Sequence, residues 1–231
     1  KINSRGKCRV RSQVLRRMRH AQAYPTEPEH GTAGFPAPFF RSLGLGALLQ
    51  QLEEGRLYSV LDLGPARARN LDFWAPTARR ICFEDYYGTW ADKGFVKPEE
   101  GGSYLTLLAQ LLSFREDARF DIVLAWDIFN YLDHDHVCAL VEYIGRSCPP
   151  GAKLLTLVSS AAIIPARPTV YQIRDREHLS YENSFPIMKP SPRYQPRDMA
   201  RMIPGFQVMH SFLLRHGIQE YLFLREGANP A

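Results

Sequence analysis

The chain has 231 residues, of which 45% are hydrophobic and 23% charged, too apolar for a disordered protein and enough for one buried core without a metal or disulfide staple. No run approaches the roughly 18 consecutive apolar residues of a membrane-spanning helix, so no membrane partner is expected, and the N-terminal segment lacks the apolar stretch of a secretory signal. The formal charge of +5 is unevenly placed: residues 1–20 hold eight Lys or Arg and no acid, which leaves 21 basic against 24 acidic side chains elsewhere, a basic arm on a mildly acidic body.

In the arm, Arg9, Arg11, Arg16, Arg17 and Arg19 could meet phosphates, but a short basic run is more often solvated, so nucleic-acid binding is the lesser reading. Tyr24 to Pro38 carries Pro25, Pro28, Gly31, Gly34 and Pro36, a linker too rich in breakers for a regular element. Residues 1–38 are thus expected to be arm and linker, and 39–231 the folded domain. Leu45, Leu48, Leu49 and Leu52 form one apolar helix stripe, closed by Gly55. Tyr58 to Leu63 reads as a buried strand stopped at Gly64-Pro65, and Ile81 to Phe83 as a second strand, ending in Glu84 and Asp85. Ser103 is placed to cap a helix carrying Leu105, Leu108, Ala109 and Leu112, and Phe120 to Trp126 is a third strand.

Asp133 can cap a helix whose core face is Val137, Leu140, Val141 and Ile144, and Lys153 to Val158 is another apolar strand. From about 159 to 195 no period persists and prolines recur, so the spacing predicts an insertion without regular elements. Arg197 to Ile203 follows as a short helix. Val208 to Leu214 and Ile218 to Leu224, joined at His216-Gly217, have the pattern of a hairpin. Alternating strands and helices imply an α/β fold: a doubly wound, mostly parallel sheet with a C-terminal antiparallel hairpin. Such a sheet holds its ligand beyond the carboxyl ends of its strands.

Cys8, Cys82, Cys138 and Cys148 lack CxxC spacing, so neither zinc nor disulfides are expected, and a reducing cytoplasm is the expected compartment. In Asp133-His134-Asp135-His136 the alternate residues of a helix start do not face one centre, so no metal is expected there. No GxSxG, P-loop or HExxH pattern is present, which removes the nucleophile, phosphate cradle or metal that hydrolase and phosphotransferase readings need.

Three motifs remain. Val60-Leu61-Asp62-Leu63-Gly64-Pro65-Ala66-Arg67-Ala68 is a strand, an acid and a tight turn whose glycine lets backbone approach a ligand. Glu84-Asp85 ends the next strand about 20 residues later, where a carboxylate can accept two ribose hydroxyls. Phe120-Asp121-Ile122-Val123-Leu124-Ala125-Trp126-Asp127 is an apolar strand whose first polar residues emerge at its carboxyl edge. With these motifs the chain resembles the class I S-adenosylmethionine-dependent methyltransferases, over roughly Leu45 to Leu224. Gly64 matches the first glycine of that family's GxGxG turn, while Ala66 and Ala68 stand where the second and third belong.

The resemblance implies S-adenosylmethionine as cofactor, held at Asp62, Gly64, Ala66, Glu84 or Asp85, and Trp126. It implies Asp127 as a base or orienting group, and Asn130 and Tyr131 at the mouth of the site. The insertion, with Arg167, Tyr171, Arg174, Tyr181 and Asn183, follows a strand at the same edge and is the expected substrate cover, Tyr171 and Arg174 contacting the acceptor. The acceptor itself is not legible. No strand ending in Asp or Asn follows Glu84-Asp85, although the family has one to hold the adenine amine. That gap and the missing glycines are what a second reading rests on: a methyltransferase-like fold without activity, serving as a binding or scaffold module through its basic arm.

Overall fold

The computed structural model describes residues 38–227 apart from 100–101, 116, 183–185 and 216. The basic arm, all of its linker but Pro38, Asn183 and His216 lie outside the described residues. Ser42 accepts the Leu45 N–H and starts α1 (Leu43–Gln50), which buries Leu45, Leu48 and Leu49. Tyr58–Asp62 (β2) is buried at every position, as a strand with both faces covered must be. After it come α2 (Ala68–Trp74) and β3 (Ala78–Phe83). This last strand begins three residues before the predicted Ile81, because Arg79 and Arg80 are exposed on the sheet edge and hide its start from any apolar pattern.

A helix absent from the sequence reading follows: α3 (Tyr86–Asp92), capped by the Asp85 carboxylate, which accepts the Gly88 N–H, and anchored by buried Tyr86 and Trp90. Ser103 caps α4 (Tyr104–Leu111) as predicted. Next come β4 (Ile122–Trp126), a 3-10 turn (Ile128–Tyr131), α5 (His134–Gly145) and β5 (Lys153–Ser159). Asp133 caps α5 by accepting the His136 N–H.

The stretch expected to lack regular elements is instead built of four short strands, β6 (Ile163–Pro165), β7 (Val170–Ile173), β8 (His178–Glu182) and β9 (Met188–Pro190). They were illegible because each has three to five residues and pairs with a distant partner. One pair is β6 with β9; the other group is a three-stranded sheet in which β8 lies between β7 and β1 (Phe39–Arg41), with Phe39 opposite Ser180. The chain closes with α6 (Pro196–Met202), β10 (Phe206–Leu213) and β11 (Ile218–Arg225).

The main sheet runs β10-β11-β5-β4-β2-β3. Its pairings β3–β2, β2–β4 and β4–β5 are parallel, and β11 and β10 are added antiparallel. One face packs on α3 to α6 around Phe120, Phe129 and Leu140. The other packs on α1, α2 and the small sheet around Leu45, Trp74 and Ile173. The fold is therefore α/β and doubly wound, with a closing antiparallel pair. Because the chain leaves β2 for β3 on one side and returns as β4 on the other, the topological switch lies between β2 and β4. Among the described residues no strand lies beyond β3, and no helix is long and apolar enough to cross a membrane.

Candidate functional site

At the end of β2 the Asp62 carboxylate is buried and accepts three hydrogen bonds, from the Gly64 N–H at 2.9 Å, Trp126 Nε1 at 2.6 Å and Asn70 Nδ2 at 3.2 Å. Burial outweighs these donors and pushes its pKa up to about 7. The three bonds fix the turn after β2. A Cβ on Gly64 would stand 3.1 Å from Trp126 Cδ1 and 3.2 Å from Asp62 Oδ1, so any side chain there would push Trp126 or Asp62 by a few tenths of an ångström.

At the end of β3 the two adjacent acids point to different places. Glu84 is buried and accepts from the Ser113 hydroxyl at 2.8 Å, the Ser113 N–H at 3.1 Å and the Cys82 thiol at 3.5 Å. It is thereby tied to the chain beyond α4, away from the switch point. Asp85 is exposed, and its carboxylate accepts the Gly88 N–H as the α3 cap.

At the end of β4 the register slips between Leu124 and Trp126 in the pairing with β5, a bulge that re-aims the residues after it. Trp126 takes a positive φ of 46°, an outlier for a bulky residue. It is held there by the Nε1 bond to Asp62, by Thr156 Oγ1 donating to its carbonyl at 2.8 Å, and by stacking on Tyr171 at 5.6 Å. Asp127 follows, 2% exposed. Its Oδ2 accepts the Thr169 N–H at 3.1 Å, its Oδ1 has no hydrogen-bond partner, and burial pushes its pKa up to about 7.

These segments surround a cavity of about 170 Å³. Leu63, Gly64 and Pro65 come from the end of β2; Asp85, Tyr87 and Gly88 from the α3 start; Ala125 to Ile128 from the end of β4; and Arg167 to Val170 from the insertion. Of the residues singled out in the sequence, Gly64, Asp85, Trp126, Asp127 and Arg167 meet at this cavity, with Asp62 buried behind the turn. The others do not line it. Ala66 is exposed and Glu84 faces Ser113. Asn130 is spent on backbone, donating to the carbonyls of Asp127 and Leu157 and accepting the Ser159 N–H. Tyr131 donates to the Arg167 carbonyl at 2.8 Å. Tyr171 packs behind Trp126, and Arg174 lies 4.2 Å over the Phe39 ring, at the far end of β7.

Tyr87 and Thr169 line the cavity without having been singled out. Tyr87 sits in the unpredicted α3, and Thr169 in a stretch with no period, so neither carried a signal. A larger cavity, about 510 Å³, lies between Leu49, Leu52, Phe73 and Pro76 near the amino end of β2. Its charged lining, Glu53, Glu54 and Arg176, is exposed, and it is remote from the switch point.

No protein-family model and no curated protein matches the chain. Its neighbours among solved structures include methyltransferases. The chain is similar to the 1,6-didemethyltoxoflavin-N1-methyltransferase of Burkholderia thailandensis, solved with 1,6-didemethyltoxoflavin and S-adenosylhomocysteine bound, at 16% identity and a TM-score of 0.45 over 80% of this chain and 78% of that one. It is similar to S-adenosylmethionine-dependent methyltransferases of Clostridium acetobutylicum (11%, TM-score 0.49, 80% and 91%) and Mesorhizobium loti (14%, TM-score 0.48, 78% and 96%). At such identities the reading of the site rests on its own geometry.

The Asp133-His134-Asp135-His136 run divides its duties. Asp133 caps α5 and receives Lys97 at 3.1 Å. His136 is buried, bonded to the Tyr86 hydroxyl, stacked on Tyr104 and lowered by burial to a pKa of about 4. His134 and Asp135 are exposed. Among the described residues no group of three His, Cys, Asp or Glu side chains is arranged to hold a metal.

Proposed function

We propose that the protein is an S-adenosylmethionine-dependent methyltransferase whose cofactor lies along the Gly64 turn and Asp85. The observation that carries this reading is the convergence of Gly64, Asp85 and Asp127 on one cavity at the carboxyl ends of β2, β3 and β4, where the strand order reverses. The helix α6 followed by the pair β10–β11 supports it, being the ending that the class I resemblance implies.

The residues present fit such a cofactor. The Asp85 carboxylate keeps acceptor capacity beyond the Gly88 N–H and can take ribose hydroxyls, while the glycine admits close backbone approach. A cavity of about 170 Å³ is below the ~300–1,000 Å³ of ligand pockets in general. A cavity of that size would hold only one end of the cofactor, beside the Gly64 turn and Asp85. When bound, the sulfonium supplies an electrophilic methyl carbon. The chain's own task is alignment, which Trp126 and the Asp62 bonds provide by making the turn rigid. Leu63, Ile128, Pro168 and Val170 exclude water, and Asp127, with a pKa near neutrality, can hold or release a proton at Oδ1.

Thermal unfolding with S-adenosylhomocysteine or NAD tests the reading. S-adenosylhomocysteine raises Tm and NAD does not, and Gly64→Val abolishes the shift while the folded circular-dichroism spectrum is retained. The absence of any shift at millimolar S-adenosylhomocysteine overturns the proposal.

A further inference from the structure

Outside the cavity a row of aromatic rings leads from the segment after α3 to the insertion. Phe95 is 44% exposed and takes a positive φ of 56°, a costly conformation for a bulky residue and one that clusters at functional positions. Its N–H donates to the Trp90 carbonyl at 2.9 Å. Its ring stands edge-on to Trp90 at 5.0 Å and tilted to Tyr87 at 5.4 Å. Tyr87 in turn meets Tyr131 at 5.5 Å. Both hydroxyls are anchored on the insertion, Tyr87 donating to the Ala166 carbonyl at 3.2 Å and Tyr131 to that of Arg167 at 2.8 Å. Ile187, 65% exposed, accepts the Ala166 N–H at its carbonyl at 2.8 Å. Two large exposed apolar residues thus connect to Tyr87, one through its ring and the other through Ala166.

A cation completes this rim. Lys189 Nζ lies 4.4 Å from the centre of the Tyr131 ring, a contact that leaves the three ammonium donors unused. Among the described residues it has neither a hydrogen bond nor a carboxylate partner. It is not one of the six unpartnered polar atoms that are closed off from solvent, so a ligand can reach it. Burial lowers the Lys189 pKa and no acid acts to offset that; a half-buried ammonium without a counter-ion is costly. Exposed Arg167 stands on the same side, where burial raises the Tyr87 hydroxyl pKa and the Arg167 charge opposes the rise.

We propose that this rim is the seat of the methyl acceptor and takes a flat aromatic acid, its ring against Phe95 and Tyr87 and its carboxylate at Lys189. The row of rings already packs at the spacing and tilt of aromatic pairs, and another ring extends it. An aliphatic acid leaves those rings uncovered, and a neutral arene leaves the ammonium bare. The acids near the site do not compete for the two cations: Asp127 is closed in, and Asp85 caps α3 and faces the cofactor. Tyr87 and Arg167 line the cavity of about 170 Å³, whereas Phe95, Ile187 and Lys189 do not. The ligand therefore lies beside the end of the cofactor instead of in its place, with Tyr87 as the shared wall. The seat stands on this geometry, while its role as acceptor site rests on the methyltransferase reading.

Isothermal titration of the full chain with 2-naphthoate, 2-naphthol and cyclohexanecarboxylate tests the seat. 2-Naphthoate binds about tenfold more tightly than either of the others, as a hydrogen bond to a charged group warrants. Lys189→Gln removes that advantage over 2-naphthol and leaves 2-naphthol binding unchanged, an outcome that general loosening of the fold does not give. Phe95→Gly, which suits the positive φ, weakens 2-naphthoate and 2-naphthol alike by about fivefold. Neither substitution alters the Kd for S-adenosylhomocysteine, since neither residue lines the cavity. Equal affinities of the wild type for 2-naphthoate and 2-naphthol, or for 2-naphthoate and cyclohexanecarboxylate, overturn the inference without any variant, and so does 2-naphthoate affinity unchanged by Lys189→Gln. Failure of S-adenosylhomocysteine to bind beside Lys189-dependent 2-naphthoate binding overturns the methyltransferase reading and leaves an aromatic-acid site. Its binding with no 2-naphthoate bound overturns the seat alone.

Discussion

Replacing Asp127 with asparagine keeps the side-chain shape, leaves an oxygen to accept the Thr169 N–H, and removes a charge that burial opposes. Burial raises the carboxyl from its ordinary 3.8 to about 7, a shift of about 3 units, worth about 4 kcal/mol when fully expressed at about 1.4 kcal/mol per unit. A raised carboxyl keeps its proton in the folded chain while the unfolded chain releases it. The wild type therefore loses stability as pH rises through the window from about 4 to 7, and the loss is level above it. Asparagine has no such term, so the stability of Asp127→Asn relative to wild type increases across that window by up to about 4 kcal/mol. Asp62, also raised to about 7, and His136, lowered to about 4, titrate in both proteins and cancel in the difference. Urea unfolding of the two proteins side by side from pH 4 to 8.5 measures it. A difference that stays flat within 0.5 kcal/mol refutes the assignment of Asp127 as a buried carboxyl whose ionisation is opposed.

The adjacent acids after β3 should separate cleanly. Glu84→Gln leaves the Kd for S-adenosylhomocysteine unchanged, because that carboxylate faces Ser113. Asp85→Asn, which preserves the α3 cap since asparagine caps as well as aspartate, weakens it about tenfold by calorimetry. Asn70→Ala strands the Ile173 N–H and one oxygen of Asp62. It is expected to cost about 2–4 kcal/mol by urea unfolding, with faster hydrogen exchange at the Ile173 amide than at Ile122. Trp126→Phe removes the Nε1 donor from Asp62, and a loss of about 1–2 kcal/mol follows if that bond holds the turn; an unchanged unfolding midpoint shows that stacking on Tyr171 suffices.

What was legible in the sequence divides along a physical line. β2, β4 and β5 are buried on both faces, so their residues are mostly apolar, and the first polar residues and glycine at the ends of β2 and β4 mark the carboxyl edge. Gly64 and Asp127 were reached by that rule, and the pair Glu84-Asp85 by its place about 20 residues further on. The choice between Glu84 and Asp85 was not open to it, because neighbouring residues at a strand end point opposite ways, and the direction is set by Ser113, 29 positions away. The strands β6 to β9 were hidden for the same reason, since Ile164 meets Lys189 and Phe39 meets Ser180 across separations that no local period encodes. Thr169 belongs to this hidden part, so the backbone N–H that holds Asp127 Oδ2 could be found only in three dimensions.

Asn70 shows how an edge can be closed by one side chain. Strand β7 is the outer strand of the small sheet, and Asn70 Nδ2 donates to the Tyr171 carbonyl while its Oδ1 accepts the Ile173 N–H. Those two backbone groups flank Gln172, and they are the pair that a residue of a parallel neighbouring strand would engage. A single carboxamide on α2 thus impersonates the next strand and occupies the open end of the ladder. Exposed edges of this kind recruit other chains. The contact that seats the insertion beside the Asp62 turn accordingly also denies a docking edge to a second molecule, and its removal should show as concentration-dependent self-association as well as lost stability.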